Sequence, residues 1–257
     1  MNILFTICAR AGSKGVKSKN TREFCGYPLV YYTLSAYDLF VKKYGKQYGS
    51  TMLVVNTDSD VLVQQMRDSN VEFTYVPREE NLAGDVVAKI DVIRDTLLKV
   101  ENKSNQKYDI VMDLDLTSPL RTAEDIKGTL DAILNDKQAD ISFSVTESRR
   151  SPYFNMVCEK TDGYFNTVID AKFVSRQQVP VCYDMNASIY GYSREFLLSY
   201  RNHDRKAVIW KMKDTAVLDI DSEDDYEILG VLANYYIEKD EKLSCVKENI
   251  QKIIKIN

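Results

Sequence analysis

A hydrophobic run, Ile3 to Ala9, ends in Arg10 and is followed by RAGSKGVKSKN, which holds two glycines and three lysines. Gly12 and Gly15 let backbone lie close to an anion and permit positive φ. The amides of such a loop can form an anion-binding concavity. Arg10, Lys14 and Lys19 supply charge, and Ser13 a hydroxyl donor. The segment is neither GxxxxGK[ST] nor GxGxxG, yet its chemistry suits a triphosphate. The same composition also suits a solvated basic loop with no ligand.

Two acidic pairs answer the cations. DLDLTSPLR carries Asp113, Asp115, Thr117, Ser118 and Arg121. Alternation along a strand end puts both carboxylates on one sheet face. Its plain reading is a helix start, with Thr117 or Ser118 as cap and Pro119 in the first turn. LDIDSEDDYEI carries Asp219 and Asp221, again two apart. Two carboxylates on one face of a strand end make a hard oxygen site suited to Mg²⁺, which keeps waters and takes phosphate oxygens as further ligands. Asp221 or Ser222 also suits the cap of a helix beginning near Glu223; capping leaves Asp219 unexplained. SRQQVP and YDMNASIYGYS add Arg176, Gln177, Gln178, Asp184, Asn186 and Tyr190, a ligand wall or a subunit interface. Lys89 reads as a solvated helix-face residue. The sole histidine, His203, argues against a histidine base or a His-rich zinc site.

These segments need a scaffold that brings them together. The first 140 residues alternate strand-like and helix-like runs: NILFTICA, PLVYYTLSAYDLFVKKY, TMLVVNTD, SDVLVQQMRDSN, VEFTYVPR, GDVVAKIDVIRDTLLKV, YDIVMDLDL, AEDIKGTLDAILND and ADISFSVTE. Nearly continuous apolar strands in strict turn with helices predict an α/β fold with a mostly parallel, Rossmann-like sheet flanked by helices. In such sheets ligands bind outside the carboxyl ends of the strands. The cationic loop and both acidic pairs are expected there. After about residue 147 the rhythm breaks, with a hairpin predicted around Thr161–Gly163. VIWKMKDTAVLDI reads as strand, EDDYEILGVLANYYIEK as an amphipathic helix and the charged tail from Lys239 as a last short helix. The expected organisation is a single domain over 1–257, with 147–185 as an inserted dimerisation and substrate lobe.

At 257 residues, 44% hydrophobic, 28% charged and with net charge -4, the chain is an ordinary globular one and no nucleic-acid binder. No apolar stretch approaches a membrane span, and the N-terminus has no signal-like pattern. Five cysteines are dispersed and odd in number. They read as reduced thiols of a cytoplasmic protein.

Taken in order, ICARAGSKGVKSKN, PREENLAGD, LDLTSPLRTAEDI, SRQQVP, NASIYGYS and LDIDSEDDYEI resemble the acylneuraminate cytidylyltransferases (CMP-sialic acid synthetases) over most of residues 3–229. ICARAGSKG, DLDLTSPLR and CYDMNASIY look most like the bacterial branch that activates legionaminic acid. The resemblance implies a nucleotidyltransferase fold and reaction of CTP with a nonulosonic acid to give a CMP-sugar and pyrophosphate, with Mg²⁺ and as a homodimer. It implies that Arg10, Ser13, Lys14 and Lys19 hold the triphosphate, and that Lys14 and Arg10 stabilise phosphate charge. Asn20 and Arg78 would contact the cytidine, with Asp85 also in the nucleotide site. Asp219 and Asp221 would ligate the metal. Asp115, Thr117, Ser118, Arg176, Gln177, Gln178 and Asn186 would face the sugar. Asp115 falls where much of the family carries Gln, and Asp184 where sialic-acid-activating members often carry Arg. Those departures imply a differently decorated sugar or a carboxylate bound elsewhere, with Arg149, Arg150 and Arg176 as candidates. A transferase for another sugar acid, such as 3-deoxy-manno-octulosonate, and a non-catalytic nucleotide-binding module are the alternatives.

Overall fold

The computed structural model describes residues 1–12, 15–84, 87–170, 172–173, 175–200, 205–214 and 218–255, with only the backbone of Arg176. Its first half runs β1 (Asn2–Cys8), β2 (Glu23–Phe24), β3 (Tyr27–Pro28), α1 (Val30–Tyr44), β4 (Ser50–Thr57), α2 (Asp60–Arg67), β5 (Thr74–Pro77), α3 (Lys89–Ser104), β6 (Ile110–Leu114) and α4 (Ala123–Asn135). The second half runs β7 (Ile141–Glu147), β8 (Val157–Glu159), β9 (Phe165–Thr167), β10 (Tyr183–Ser193), α5 (Arg194–Ser199), β11 (Ala207–Lys211), α6 (Glu223–Lys239) and α7 (Glu241–Ile253).

Seven strands form one sheet in the order β11-β7-β10-β6-β1-β4-β5. Only β10 runs antiparallel to its neighbours β6 and β7; the other pairings are parallel. The mostly parallel α/β sheet expected from the alternation is therefore present. The two-residue period of β1 explains why both faces are covered. Ile3, Phe5 and Ile7 enter a core built with α1, α2, α4, α6 and α7. Leu4 enters a second core with Ile93, Leu97 and Val100 of α3.

Helix starts follow local chemistry. Ser59 accepts from Leu62 N at the start of α2, and Ser222 forms a capping box with Asp225 at the start of α6. Thr122, not Thr117 or Ser118, caps α4, in a capping box with Asp125. Helix α3 begins only at Lys89, later than the apolar pattern suggests. The tail forms a full helix, α7. Strand β11 stops at Lys211, and described residues 218–222 carry no strand, so the strand expected through LDI is not formed.

Strands β8 and β9 form their own two-stranded sheet outside the main one, with Gly163 at φ 81 in the expected turn. Apolar side chains of this region are open to solvent, Tyr164, Phe165, Val157 and Val181 among them.

Gly128 marks a close helix–sheet contact. A β-carbon there would stand 2.2 Å from the ring of Trp210 on β11, whose Nε1 donates to Asp125 Oδ1 at 3.1 Å. Gly128→Ala is therefore expected to cost about 1–3 kcal/mol by overpacking. Urea unfolding followed by fluorescence of this single tryptophan measures it.

Candidate active site

Strands β1, β4 and β6 end at the same edge of the sheet, and a cavity of about 380 Å³ opens there. Larger clefts of about 770 and 890 Å³ lie beside β4–α2 and at the root of the β8–β9 region. The smaller cavity holds the chemistry, because the cationic loop, Asp115 and Asp221 converge on it.

The convergence is direct. Gly15 lies so close to the late acidic segment that a β-carbon would stand 1.9 Å from the Asp221 carbonyl oxygen. Lys19 Nζ donates to the Ile220 carbonyl at 2.6 Å and to Asp221 Oδ1 at 2.9 Å. Arg22 pairs with Glu223 at 2.6 Å and lies 3.9 Å over the Tyr226 ring. Asn20 Nδ2 donates to the Arg10 carbonyl at 3.0 Å, tying the loop to its own start. Although 218–222 is not strand, Ile220 N donates to the Thr117 carbonyl at 2.9 Å. That single bond carries the LDID segment to the carboxyl edge beside β6. Gly15→Ala would force loop and segment apart. We expect a fall of tenfold or more in nucleotide affinity with little change in melting temperature, read by calorimetry and thermal unfolding.

The floor of the site is an ion cluster. Lys89, the first residue of α3, is bonded rather than solvated. Its Nζ pairs with Asp113 at 2.7 Å and Asp115 at 2.6 Å. Helical side chains lean back toward the N-terminus of their helix, which aims Lys89 at the strand ends. Asp113 is wholly buried and accepts from Thr6 Oγ1 at 2.7 Å. Asp115 Oδ1 accepts from Thr117 N at 3.1 Å and Thr117 Oγ1 at 3.0 Å. Burial opposes ionisation of Asp115, but Lys89 and Thr117 outweigh it and hold the carboxyl down to about 2. Burial likewise disfavours the Lys89 ammonium, and the two carboxylates override it, raising its pKa well above the ordinary value. Lys89 is thus a fixed cation and no base. Cys8, beside this cluster, has its thiol pushed up to about 12, by burial first and then by Asp113. It stays a neutral thiol at physiological pH.

Asp219 is different. It is half-buried, and its pKa is raised by burial first, then by the charge of Asp221, with a further contribution from Asp115. Asp221 is exposed and already accepts from Lys19. Among the described residues no group of three or more His, Cys, Asp or Glu is placed to hold a metal. A Mg²⁺ site built on two carboxylates, waters and phosphate oxygens needs no such group. The excess negative potential at Asp219 is what a divalent cation would relieve, so the pair fits Mg²⁺.

The loop after β6 is set by Arg121, whose side chain is completely buried. It donates to the carbonyls of Ser188 at 2.8 Å and Ser118 at 2.9 Å, to Thr33 Oγ1 at 3.1 Å, and to the Asp115 carbonyl. The pairing of β10 with β7 shifts register between Met185 and Tyr190, with Ala187 at φ 46. This bulge delivers the Ser188 carbonyl, which also accepts from Asp115 N at 3.1 Å.

Of the residues singled out in the sequence, Arg10, Lys19, Asn20, Arg78, Asp115 and Thr117 line the cavity, as does Asp221, while Asp219 does not. Ser118 is buried beneath it, with its hydroxyl unpaired. Asn186 is 1% exposed and engaged elsewhere, accepting from Ser144 Oγ at 2.7 Å and donating to Met212 Sδ at 3.1 Å. Gln177 and Gln178 are exposed in a short turn and do not line the cavity. Ser13, Lys14 and Asp85 lie outside the described residues, as does the Arg176 side chain. Lys89 and Asn56 were not singled out for the site. Lys89 hides on an amphipathic helix pattern, and Asn56 in a run that reads as buried strand.

A family profile described as "Cytidylyltransferase" matches residues 4–251. The "Post-translational flagellin modification protein B" of Campylobacter coli is 37% identical over 231 residues, covering 90% of this chain and 94% of that protein. The CMP-N,N'-diacetyllegionaminic acid synthase of Campylobacter jejuni is 36% identical over 234 residues, again covering 90% and 94%. A solved CMP:2-keto-3-deoxy-manno-octonic acid synthetase, complexed with CTP, shares the fold at a TM-score of 0.62 and 15% identity, covering 92% of this chain and 100% of that one. With a profile match spanning nearly its whole length, a nucleotidyltransferase sheet and relatives above one-third identity, the chain belongs to the cytidylyltransferase family.

Proposed function

We propose that the protein transfers the cytidylyl group of CTP to a nonulosonic acid of the legionaminic or N-acetylneuraminic type, with Mg²⁺, releasing pyrophosphate. The observation that carries this is the contact of the Gly15 loop with the Asp219–Asp221 segment at the carboxyl edge of the sheet. It joins a polyanion cradle to a metal-ligating pair. The nonulosonic acid is supported by the Campylobacter jejuni relative, whose name states CMP-N,N'-diacetyllegionaminic acid synthesis.

In this reading the anomeric 2-hydroxyl attacks the α-phosphorus and gives its proton to solvent, while the bond to the bridging oxygen of the β-phosphate breaks and pyrophosphate leaves. Such transfer depends on positioning and charge neutralisation rather than covalent catalysis. Lys19 and Arg10 line the cavity where the triphosphate would lie, and Lys14 would join them. Arg78 and Asn20 would meet the cytidine. Asp115 and Thr117 form the wall on the sugar side, with Asp115 kept ionised and oriented by Lys89. Asp219 and Asp221 would hold Mg²⁺, which when bound supplies positive charge to the phosphate oxygens.

The exposed apolar side chains around β8–β9 suit burial against a second copy, so a homodimer is part of the proposal. No helix among the described residues is long and apolar enough to cross a membrane, and the site of action is proposed to be the cytoplasm. Incubation with CTP, Mg²⁺ and a panel of legionaminic, neuraminic and 3-deoxy-manno-octulosonic acids, with pyrophosphate as readout, tests the reaction. Release with the nonulosonates supports it. Release with the octulosonate alone reassigns the sugar, and CTP binding without release from any acid makes this a nucleotide-binding module.

A further inference from the structure

Arg78 lines the nucleotide cavity, and what aims it lies out of reach of any ligand. Arg78 Nε donates to Asn56 Oδ1 at 2.9 Å, and Nη2 approaches the Asn56 carbonyl at 3.4 Å. Asn56, at the end of β4, is wholly buried, as is Thr96 on α3. Asn56 Nδ2 donates to Thr96 Oγ1 at 2.9 Å, and Thr96 Oγ1 donates to the Val92 carbonyl at 2.7 Å.

Hydrogen-bond polarity makes this relay one-way. A carbonyl oxygen only accepts, so Thr96 donates to Val92 in preference to the Cys8 thiol beside it, a weak acceptor. Thr96 can then only accept from Asn56, and the amide must turn its NH₂ toward α3. Its oxygen is left facing Arg78, a donor with no accepting atom. The reversed amide would set NH₂ against Nε–H at the Arg78 end, and at the other end the Thr96 hydroxyl could meet the amide oxygen only by giving up its bond to Val92. Both ends therefore select the same orientation, and two Arg78 donors are fixed on Asn56. The plane of the guanidinium in the cavity follows.

We infer that Thr96 is a positioning residue of the nucleotide site, acting through the Asn56 amide to fix the direction of Arg78. The inference rests on the proposed function for what Arg78 meets, but the relay itself can be read without nucleotide.

The test compares wild type with Thr96→Val, Thr96→Ser and Asn56→Ala. Thr96→Val keeps the shape and removes the acceptor. Thr96→Ser keeps the hydroxyl. Asn56→Ala removes the relay and serves if the valine variant does not fold. The first readout is exchange of the Arg78 Nε–H proton by ¹⁵N NMR in nucleotide-free protein. We expect exchange tenfold or more faster in Thr96→Val and Asn56→Ala, and wild-type protection in Thr96→Ser. The second is steady-state kinetics with CTP. We expect a KM about tenfold higher in Thr96→Val, the scale of one hydrogen bond to a charged group, with kcat within about twofold and recovery in Thr96→Ser. Unchanged Arg78 protection in a folded Thr96→Val overturns the relay. Faster exchange with an unchanged KM overturns its role in nucleotide binding. Wild type with no CTP turnover overturns the functional reading, while the exchange measurement still decides the relay.

Discussion

Asp219→Asn is expected to lower metal-dependent pyrophosphate release by about 10³-fold or more, while the metal-free protein melts at the same or a higher temperature at neutral pH. The two halves share one cause. Asp219 is half-buried, and burial together with the neighbouring charges of Asp221 and Asp115 raises its pKa. A carboxyl whose folded pKa exceeds its unfolded value stabilises the fold below the unfolded pKa, and loses that contribution as pH rises through the folded one. At neutral pH the ionised group is therefore a strain on the fold, and an uncharged isostere relieves it. The same unneutralised charge is what a divalent cation requires. If Asp219 ligates the proposed metal, its loss is expected to remove about 4 kcal/mol of transition-state stabilisation, at 1.36 kcal/mol per tenfold. Thermal unfolding in chelator, repeated with Mg²⁺ and CTP, separates the halves. The variant should lack the rise in melting temperature that Mg²⁺ is expected to give the wild type. A wild-type response to Mg²⁺ would remove Asp219 from the metal site.

Much of this arrangement was legible because periodicity and capping are local. The alternation of strands and helices, a cap at Asp221 or Ser222 for α6, and the shared face of Asp113 and Asp115 all follow from short stretches of chain. The misreadings occur where a long-range partner overrides a local pattern. LDI has the alternation of a strand but no ladder among the described residues, because its Ile220 amide bonds the Thr117 carbonyl instead. Thr117 and Ser118 look like caps, but the buried Arg121 gathers the loop carbonyls and moves the helix start to Thr122. Lys89 falls on a helical pattern whose cations are usually solvated. Only the start of α3 at Lys89 itself, with Ala88 as its cap, turns the ammonium inward. Asn186, a polar residue in a strand, reads equally as ligand wall or internal partner, and Ser144 and Met212 decide that its amide is engaged in the sheet.

Replacing Lys89 by methionine should have the largest combined effect on stability and turnover. The side chain lies between a wholly buried carboxylate, Asp113, and Asp115, at 2.7 and 2.6 Å. Removing one partner of such a group leaves uncompensated buried charge, which costs about 3–5 kcal/mol. The lower end applies here, because Lys89 keeps 35% of its side chain exposed. The pH dependence carries the diagnosis. In the wild type burial raises the Asp115 pKa, but Lys89 and Thr117 bring it down to about 2. Its stabilisation is therefore present above the ordinary carboxylate range and is lost as pH falls toward about 2. Without the ammonium, burial and the charge of Asp113 raise the Asp115 carboxyl. That raised group destabilises the variant as pH rises through it. The stability difference between wild type and Lys89→Met should be widest at pH 7 and narrow steadily toward pH 3.5, measured as urea midpoints. Asp113→Asn added to Lys89→Met should recover part of the loss, because it removes the deepest orphaned charge and leaves an amide for Thr6. Turnover should fall at least a hundredfold in the single variant, since Asp115 loses the contact that orients it at the proposed sugar site and the cavity turns more negative toward the proposed triphosphate. A difference that stays constant from pH 7 to 3.5 would mean that Lys89 contributes packing alone, and that the cluster of Asp113 and Asp115 is held by other means.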